Sequence, residues 1–317
     1  MNSLFKKAAM ACVAVLGLGA LPAMAEYPEK PVEMVVPYAP GGSTDVLARK
    51  FAQYAEKYLG QPLVVVNKPG AGGQLGFTAI ATAKADGYTI GWINSGIITN
   101  AITRPDVKFS VDTYDMIANL VTDPGVLSIA GDSDINTLEE FIETAKKETL
   151  TVSHEGVGGD DFLAVLQLEK AAGIELNKVA FNGDAEAKAA LLGGHINAIE
   201  GNVSEQVEMA SEGGLKPLVV WSRKAAADMP DVPTGSELGY DILSAASRGI
   251  AGPINMEPEA LKKLREVAGQ VANDPAFIED LKKLNMPMDV LIGDEYLAFM
   301  KDQDKAYRDL WEKSPWM

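Results

Sequence analysis

An internal duplication constrains the fold of this chain more than any other feature of its sequence. In each copy an apolar segment leads into a glycine-rich loop, and the loop opens a stretch with apolar residues at helical spacing. The first copy has a strand at 33–38, loop 1 at 39–44 and a helix at 45–59; the second has a strand at 150–154, loop 2 at 156–160 and a helix at 161–173. Further strands and helices follow in the same order, at 62–67, 74–83 and 88–94 and again at 177–182, 185–192 and 195–200. The pattern predicts an α/β fold with two β-α-β-α-β units, each a largely parallel sheet flanked by helices.

The two glycine-rich loops are the first candidates for a binding site. Ligands of open parallel sheets lie at the carboxyl ends of the strands, and both loops lie there, each before a helix. Glycine allows the backbone to approach a ligand closely, and a helix N-terminus carries about half a positive charge. Two such loops facing one another would hold an anion without a lysine, with Ser43 and Thr44 adding hydroxyl donors. We also expect Ser43 or Thr44 to cap the first helix.

The N-terminus has the features of a signal peptide, which we assign to residues 1–25. Lys6 and Lys7 precede an apolar run that is too short to cross a bilayer, and Ala23-Met24-Ala25 provides small residues for cleavage. The mature chain would begin near Glu26 in the periplasm, without the single cysteine, Cys12. The full chain has a formal net charge of −16, and the mature chain, without Lys6 and Lys7, would have −18. Such a charge argues against binding to nucleic acid or to an anionic membrane, because both require basic patches.

The duplication and the short C-terminal segment predict two domains that are discontinuous in sequence. Residues 26–124 and 244–317 form domain 1, and residues 125–243 form domain 2. The segment after residue 244 is too short and too helical to stand alone, so the chain returns to domain 1 for its last helices. Arg248 lies where the chain crosses back, and we expect it to face the cleft and neutralise a distal anionic group of the ligand; a structural ion pair is the alternative.

Several segments together resemble the substrate-binding proteins of tripartite tricarboxylate transporters, also called the Bug family. They cover nearly the whole mature chain, at 27–32, 36–45, 67–73, 85–90, 156–161, 181–183, 192–195 and 248–249. The sequence departs from the family pattern at 182–184, where relatives often have Lys-Gly-Gly, and at Phe162, where many have His. The departures bear on which ligand is bound rather than on the fold.

The resemblance implies a two-domain periplasmic-binding-protein architecture, often called a Venus flytrap. Its members bind a carboxylate between the equivalents of loop 1 and loop 2 and present it to a membrane permease of one large and one small subunit. We therefore expect a monomer that binds a small organic anion, a di- or tricarboxylate, with no cofactor, metal or nucleic acid. The candidate ligand-binding residues are Tyr38, Ala39, Pro40, Gly41, Gly42, Ser43, Thr44, Asp45, Asn94, Ser95, Gly156, Gly158, Gly159, Asp160, Asn182 and Arg248. Asp160 has two readings, a contact to a ligand ammonium group or a helix cap.

Two other functions stay open from the sequence. A secreted hydrolase or lyase would need an activated nucleophile, a metal or an acid–base pair. The chain has only two histidines, His154 and His195, neither in a metal-binding spacing, and it lacks the G-x-S-x-G elbow of serine hydrolases. A ligand-sensing subunit for a membrane receptor has the same sequence requirements as a transport receptor.

Overall fold

The computed structural model describes residues 27–154, 156–181, 183–313 and 315–316. The signal peptide, the mature start at Glu26 and the candidate residue Asn182 lie outside the described residues. The strands are β1 (Val32–Val36), β2 (Leu63–Asn67), β3 (Thr89–Ile93), β4 (Tyr114–Ala130), β5 (Thr151–His154), β6 (Asn177–Ala180), β7 (Ala198–Asn202), β8 (Leu215–Val220), β9 (Ala245–Pro253) and β10 (Met288–Ile292). The α-helices are α1 (Ser43–Leu59), α2 (Gln74–Ala81), α3 (Gly96–Thr103), α4 (Leu138–Ala145), α5 (Asp160–Ala172), α6 (Asp184–Leu192), α7 (Val203–Ser211), α8 (Pro258–Ala272), α9 (Pro275–Lys283) and α10 (Asp294–Lys313).

The predicted α/β class and its duplicated parallel units are confirmed. β1 pairs in parallel with β2 and β3, and β5 pairs in parallel with β6 and β7. The full strand order is β2-β1-β3-β9-β4-β7-β5-β6, and β8 and β10 also pair with β4. Strands β4, β8, β9 and β10 are antiparallel to their partners, so both sheets are mixed rather than wholly parallel.

A single long strand, β4, connects the two groups of parallel strands. Residues 114–124 of this strand pair with β9, and residues 125–128 pair with β7. The chain thus passes from one sheet to the other near Pro124 and Gly125, and β9 carries it back. These two strands are the crossovers that a trap-like architecture requires. The division into residues 26–124 with 244–317 and residues 125–243 stays a prediction.

Helical periodicity explains how α1 is held on the first sheet. Its buried face includes Leu47, Phe51, Ala55 and Leu59, which follow one another at intervals of four residues and therefore lie on one side. The helix ends at Gly60, which has a left-handed backbone (φ 77°) and donates its N–H to the carbonyl of Glu56. Of the helices in the described part of the chain, none is both long and apolar enough to span a membrane.

The first turn of α5 packs against elements of the other sheet. Phe162 and Leu163 are buried in the same apolar cluster as Ile97 of α3 and Met300 of α10. His154, at the end of β5, lies edge-on to Phe162 with ring centroids 4.9 Å apart. The helix that follows loop 2 is therefore anchored beside α3 and α10, and this brings loop 2 next to the carboxyl edge of the first sheet.

Candidate functional site

Loop 1 is organised by an acidic side chain inside α1 rather than by a helix cap. The N-cap of α1 is Gly42, with extended backbone and no side-chain cap, so the expected capping by Ser43 or Thr44 is wrong. The helix begins at Ser43, two residues earlier than predicted. The carboxylate of Asp45 is buried and accepts hydrogen bonds from the N–H of Gly41 (2.9 Å) and from Arg49 Nε (3.0 Å).

The electrostatics of Asp45 show that it supports loop 1. Burial by itself would raise its pKa, but the hydrogen bonds from Arg49, Gly41 and Asn67 lower the pKa to about 2. Asn67 donates from Nδ2 to Asp45 Oδ1 (2.8 Å) and to the carbonyl of Tyr38 (3.0 Å). All of these Asp45 partners are protein groups. Asp45 is a charged acceptor that fixes the backbone of loop 1.

Loop 2 folds back on itself before α5 begins. The N–H of Gly159 donates to the carbonyl of Gly156 (3.1 Å), and Gly158 has a left-handed backbone (φ 86°) that favours glycine. Asp160 accepts from Asn202 Nδ2 at 3.3 Å, and burial raises the pKa of its carboxyl. The hydroxyl of Ser244 donates to the main-chain carbonyl of Asp160 (2.9 Å), which ties the start of α5 to the segment before β9.

These contacts decide which glycine amides a ligand could use. Gly41, Gly42, Gly158 and Gly159 are the loop glycines among the candidate ligand-binding residues. Gly41 and Gly159 donate within their own loops. Among the described residues, the N–H groups of Gly42 and Gly158 have no hydrogen-bond partner. One amide from each loop is therefore available for an anion.

Arg248 lies at the junction of the two sheets and reaches loop 1. It projects from β9, and its Nη2 donates to Ser43 Oγ at 3.2 Å. Within the described ranges its guanidinium makes no salt bridge, so the alternative of a structural ion pair has no support there. Burial raises the pKa values of Asp123, Asp160 and Tyr38, and the charge of Arg248 opposes this rise in all three. Arg248 is thus a cation in the centre of the candidate site.

The end of β3 contributes the third group of predicted residues. Asn94 donates from Nδ2 to Tyr38 Oη (2.8 Å), and its Oδ1 accepts from the N–H of Gly96 (2.9 Å). Burial raises the pKa of Tyr38 to about 12, so its hydroxyl keeps its proton at neutral pH. Ser95 follows as the N-cap residue of α3 without a capping hydrogen bond. Asn94 thus holds Tyr38 and the start of α3 together.

The remaining predicted residues line the outside of the loops. Ala39, Pro40, Gly41, Gly42 and Ser43 are exposed, and Thr44 and Gly156 are partly buried. Ala39 and Pro40 form the outer part of loop 1. Space is open around the α-carbon of Gly156.

Sequence reasoning missed a group of polar residues on the crossover strand and after β7. Asp123, completely buried on β4, accepts from the N–H (3.1 Å) and the hydroxyl of Ser204. Burial raises the pKa of Asp123 to about 6. Asn202 donates to the carbonyl of Asp123 (3.1 Å) as well as to Asp160. Asn202 ends the third strand of the second copy, as Asn94 follows that of the first, so the duplication itself contained this signal.

Comparisons with known proteins show which family this chain resembles. Residues 47–314 match the family model described as "Tripartite tricarboxylate transporter family receptor". A Cupriavidus necator protein named "UPF0065 protein in gbd 5'region" is 31% identical, covering 96% of this chain and 94% of that protein.

Among solved structures, two with the same fold as this chain are from Polaromonas and Rhodopseudomonas palustris. A TctC solute-binding protein from Polaromonas, solved with no ligand, has a TM-score of 0.84 and 34% identity, covering 90% of this chain and 99% of that one. MatC from Rhodopseudomonas palustris, solved with bound malate, has a TM-score of 0.73 and 25% identity, covering 90% and 99%.

Proposed function

Because the chain belongs to the tripartite tricarboxylate transporter family of receptors, we propose that it captures a small organic anion, a di- or tricarboxylate, between loop 1 and loop 2. It is a solute-binding protein rather than an enzyme, as are its relatives and structural neighbours. The periplasm is its proposed compartment. Delivery to a membrane permease of one large and one small subunit, by a monomeric receptor, is the proposed role.

The proposal is supported by hydrogen-bond donors in both loops that have no partner among the described residues. Gly42 offers an amide from loop 1 and Gly158 one from loop 2, and Arg248 adds a positive charge beside Ser43. A carboxylate that leaves water needs such donors, because burying an anion without them is costly. The starts of α1 and α5 add the positive ends of two helix dipoles.

The acidic residues near Arg248 affect which ligand groups the site can bind. Burial raises the pKa of Asp123 and of Asp160, the charge of Asp160 raises that of Asp123 further, and the charge of Arg248 opposes the rise in both. A ligand carboxylate is repelled less when these acids are protonated or hydrogen bonded. Asn202 and Ser204 provide such hydrogen bonds. The alternative role of Asp160, a contact with a ligand ammonium group, is tested by the same binding experiments.

A thermal-shift screen of organic acids against ligand-stripped protein tests the proposal. An acid at 100 times its dissociation constant should raise the free energy of unfolding by about 2.7 kcal/mol and the melting temperature by roughly 5 °C or more. No shift with any di- or tricarboxylate, in protein that is folded, would contradict the proposed ligand class. Turnover of a bound acid would instead favour the hydrolase or lyase reading.

A further inference from the structure

Two buried hydrogen-bond donors near loop 2 have no partner in the described part of the chain. One is the hydroxyl of Tyr307 on α10, whose side chain is 2% exposed. The other is the indole Nε1 of Trp316, which follows α10. A buried donor without an acceptor costs roughly 1–3 kcal/mol, so a folded protein rarely keeps two of them close to a binding site without use.

Contacts place both donors beside the candidate site. A Cβ atom added to Gly158 would lie 3.7 Å from Trp316 Nε1 and 3.8 Å from Thr99 Cβ. Thr99 lies on α3, one helical turn after Ser95. The side chain of Ser95 lies next to the Tyr307 hydroxyl, but these two groups do not reach normal hydrogen-bond geometry. Both donors therefore lie near the start of α3, beside loop 2.

The chemistry of the two donors restricts what they can bind. An indole N–H donates only, so the partner atom must be an acceptor; an ammonium group does not fit. Burial raises the pKa of the Tyr307 hydroxyl, and the nearby carboxyls of Asp160 and Asp161 raise it further, while Ser95 opposes the rise. A second carboxylate beside those acids would be repelled, whereas a neutral oxygen would not. The cation of the site, Arg248, is at Ser43 of loop 1.

We infer that Tyr307 and Trp316 form a subsite for a neutral oxygen of the ligand, a hydroxyl or carbonyl group, so that the receptor prefers hydroxy- or oxo-carboxylates to their unsubstituted parents. This inference rests on the proposed function, in which loop 1 and loop 2 bind the carboxylate. It adds the feature by which the ligand is distinguished from other acids.

Matched pairs of acids test the inference by calorimetric titration. Malate and succinate differ by one hydroxyl, and 2-oxoglutarate and glutarate differ by one carbonyl. The wild-type protein should bind the oxygenated member of at least one pair more tightly. Tyr307→Phe and Trp316→Phe should each weaken binding of that member about fivefold, the effect of one neutral hydrogen bond, and leave its parent unchanged.

Two controls separate this effect from a general change in the protein. Tyr296→Phe, like Tyr307→Phe, removes a tyrosine hydroxyl from α10. The Tyr296 hydroxyl is also buried without a partner in the described residues, but it lies against Gly249. Trp311→Phe alters the ring that packs edge-on against Trp316, with centroids 4.7 Å apart. Both controls should keep the wild-type preference.

The outcomes separate the inference from the proposed function. If both members of each pair bind alike in the wild type, or lose affinity alike in the variants, the neutral-oxygen subsite is refuted while carboxylate binding stands. If no acid in the screen binds, the proposed function fails and the subsite fails with it. A crystal structure of the complex with an ordered water on both donors and no ligand oxygen near them would also overturn the inference.

Discussion

Asp123 combines complete burial with two hydrogen bonds from Ser204, and this combination makes the stability of the protein depend on pH. Burial raises its pKa to about 6, above the value of about 4 that an unfolded chain has. The folded state therefore binds the proton more tightly. Its contribution to stability is present in full below pH 4 and is lost as the pH rises to about 6 and beyond.

We predict that Asp123→Asn reduces this loss. A difference of about two pKa units corresponds to about 3 kcal/mol in the free energy of unfolding between pH 4 and pH 7. Urea unfolding at several pH values measures the slope in both proteins. The variant should show a smaller fall by roughly this amount, although Asp160 and Glu200, whose pKa values burial also raises, leave part of the slope in place. Parallel pH profiles would contradict the assignment.

Arg248 is the residue for which a binding role and a structural role predict different results. Within the described part of the chain the Arg248 guanidinium makes one hydrogen bond, to Ser43, so Arg248→Ala should change the free energy of unfolding little. A charge-assisted hydrogen bond to a ligand carboxylate contributes roughly 1.5–3 kcal/mol, so affinity should fall by about 10- to 150-fold. Arg248→Lys keeps the charge and should recover part of the loss. Lower stability at unchanged affinity would establish the structural role instead.

The first turn of α5 is the element that links the two sheets next to the site. Leu163 is completely buried in a cluster that also contains residues of α3 and α10. We predict that Leu163→Ala lowers the free energy of unfolding by about 2–5 kcal/mol, because it leaves a cavity at this junction. Leu192→Ala is the matched control, since Leu192 is 57% exposed and its loss should cost about 0.5 kcal/mol or less. Equal effects would show that the junction is not tightly packed.

Most of the helices and strands followed from local patterns, because the spacing of apolar residues identifies a helix or strand without knowledge of its neighbours. The boundaries shifted by one to three residues; α1 begins at Ser43 because Gly42, not Ser43, is its N-cap. The antiparallel partners of β4 and β9 did not follow, since strand pairing between distant segments leaves little trace in either one.

The candidate site was predictable where it repeats and unpredictable where it depends on tertiary contacts. The duplication identified both glycine loops and could have identified Asn202 as the counterpart of Asn94. The acceptor for the Gly41 amide depends on how Asp45 turns within α1, which sequence spacing does not specify. Tyr307 and Trp316 lie more than 140 residues from Gly158, so only the packing of α10 on α3 brings them near loop 2.

At the scale of the whole molecule, a strongly acidic chain has a cation, Arg248, beside loop 1. The formal net charge is −16, yet the two loops meet around Arg248 and two helix N-termini. Loop 1 belongs to the first sheet and loop 2 to the second, and β4 and β9 connect them. A ligand held by both loops would stabilise the closed arrangement, so binding and closure would be a single event.

The most direct test of this account is a calorimetric titration of Gly42→Ala with the acid that stabilises the wild-type protein. Gly42 has a φ of −72°, which alanine also adopts. A Cβ added to Gly42 would lie 3.8 Å from its nearest neighbour, the carbonyl oxygen of Ala39. The methyl group should therefore not disturb the ligand-free fold. Gly269→Ala, on α8 and in open space, is the matched control. We predict that Gly42→Ala unfolds like the wild type but loses measurable binding, because the methyl group occupies the approach to the loop 1 amide, while Gly269→Ala binds normally. Wild-type affinity in Gly42→Ala would contradict the central claim and place the carboxylate away from loop 1.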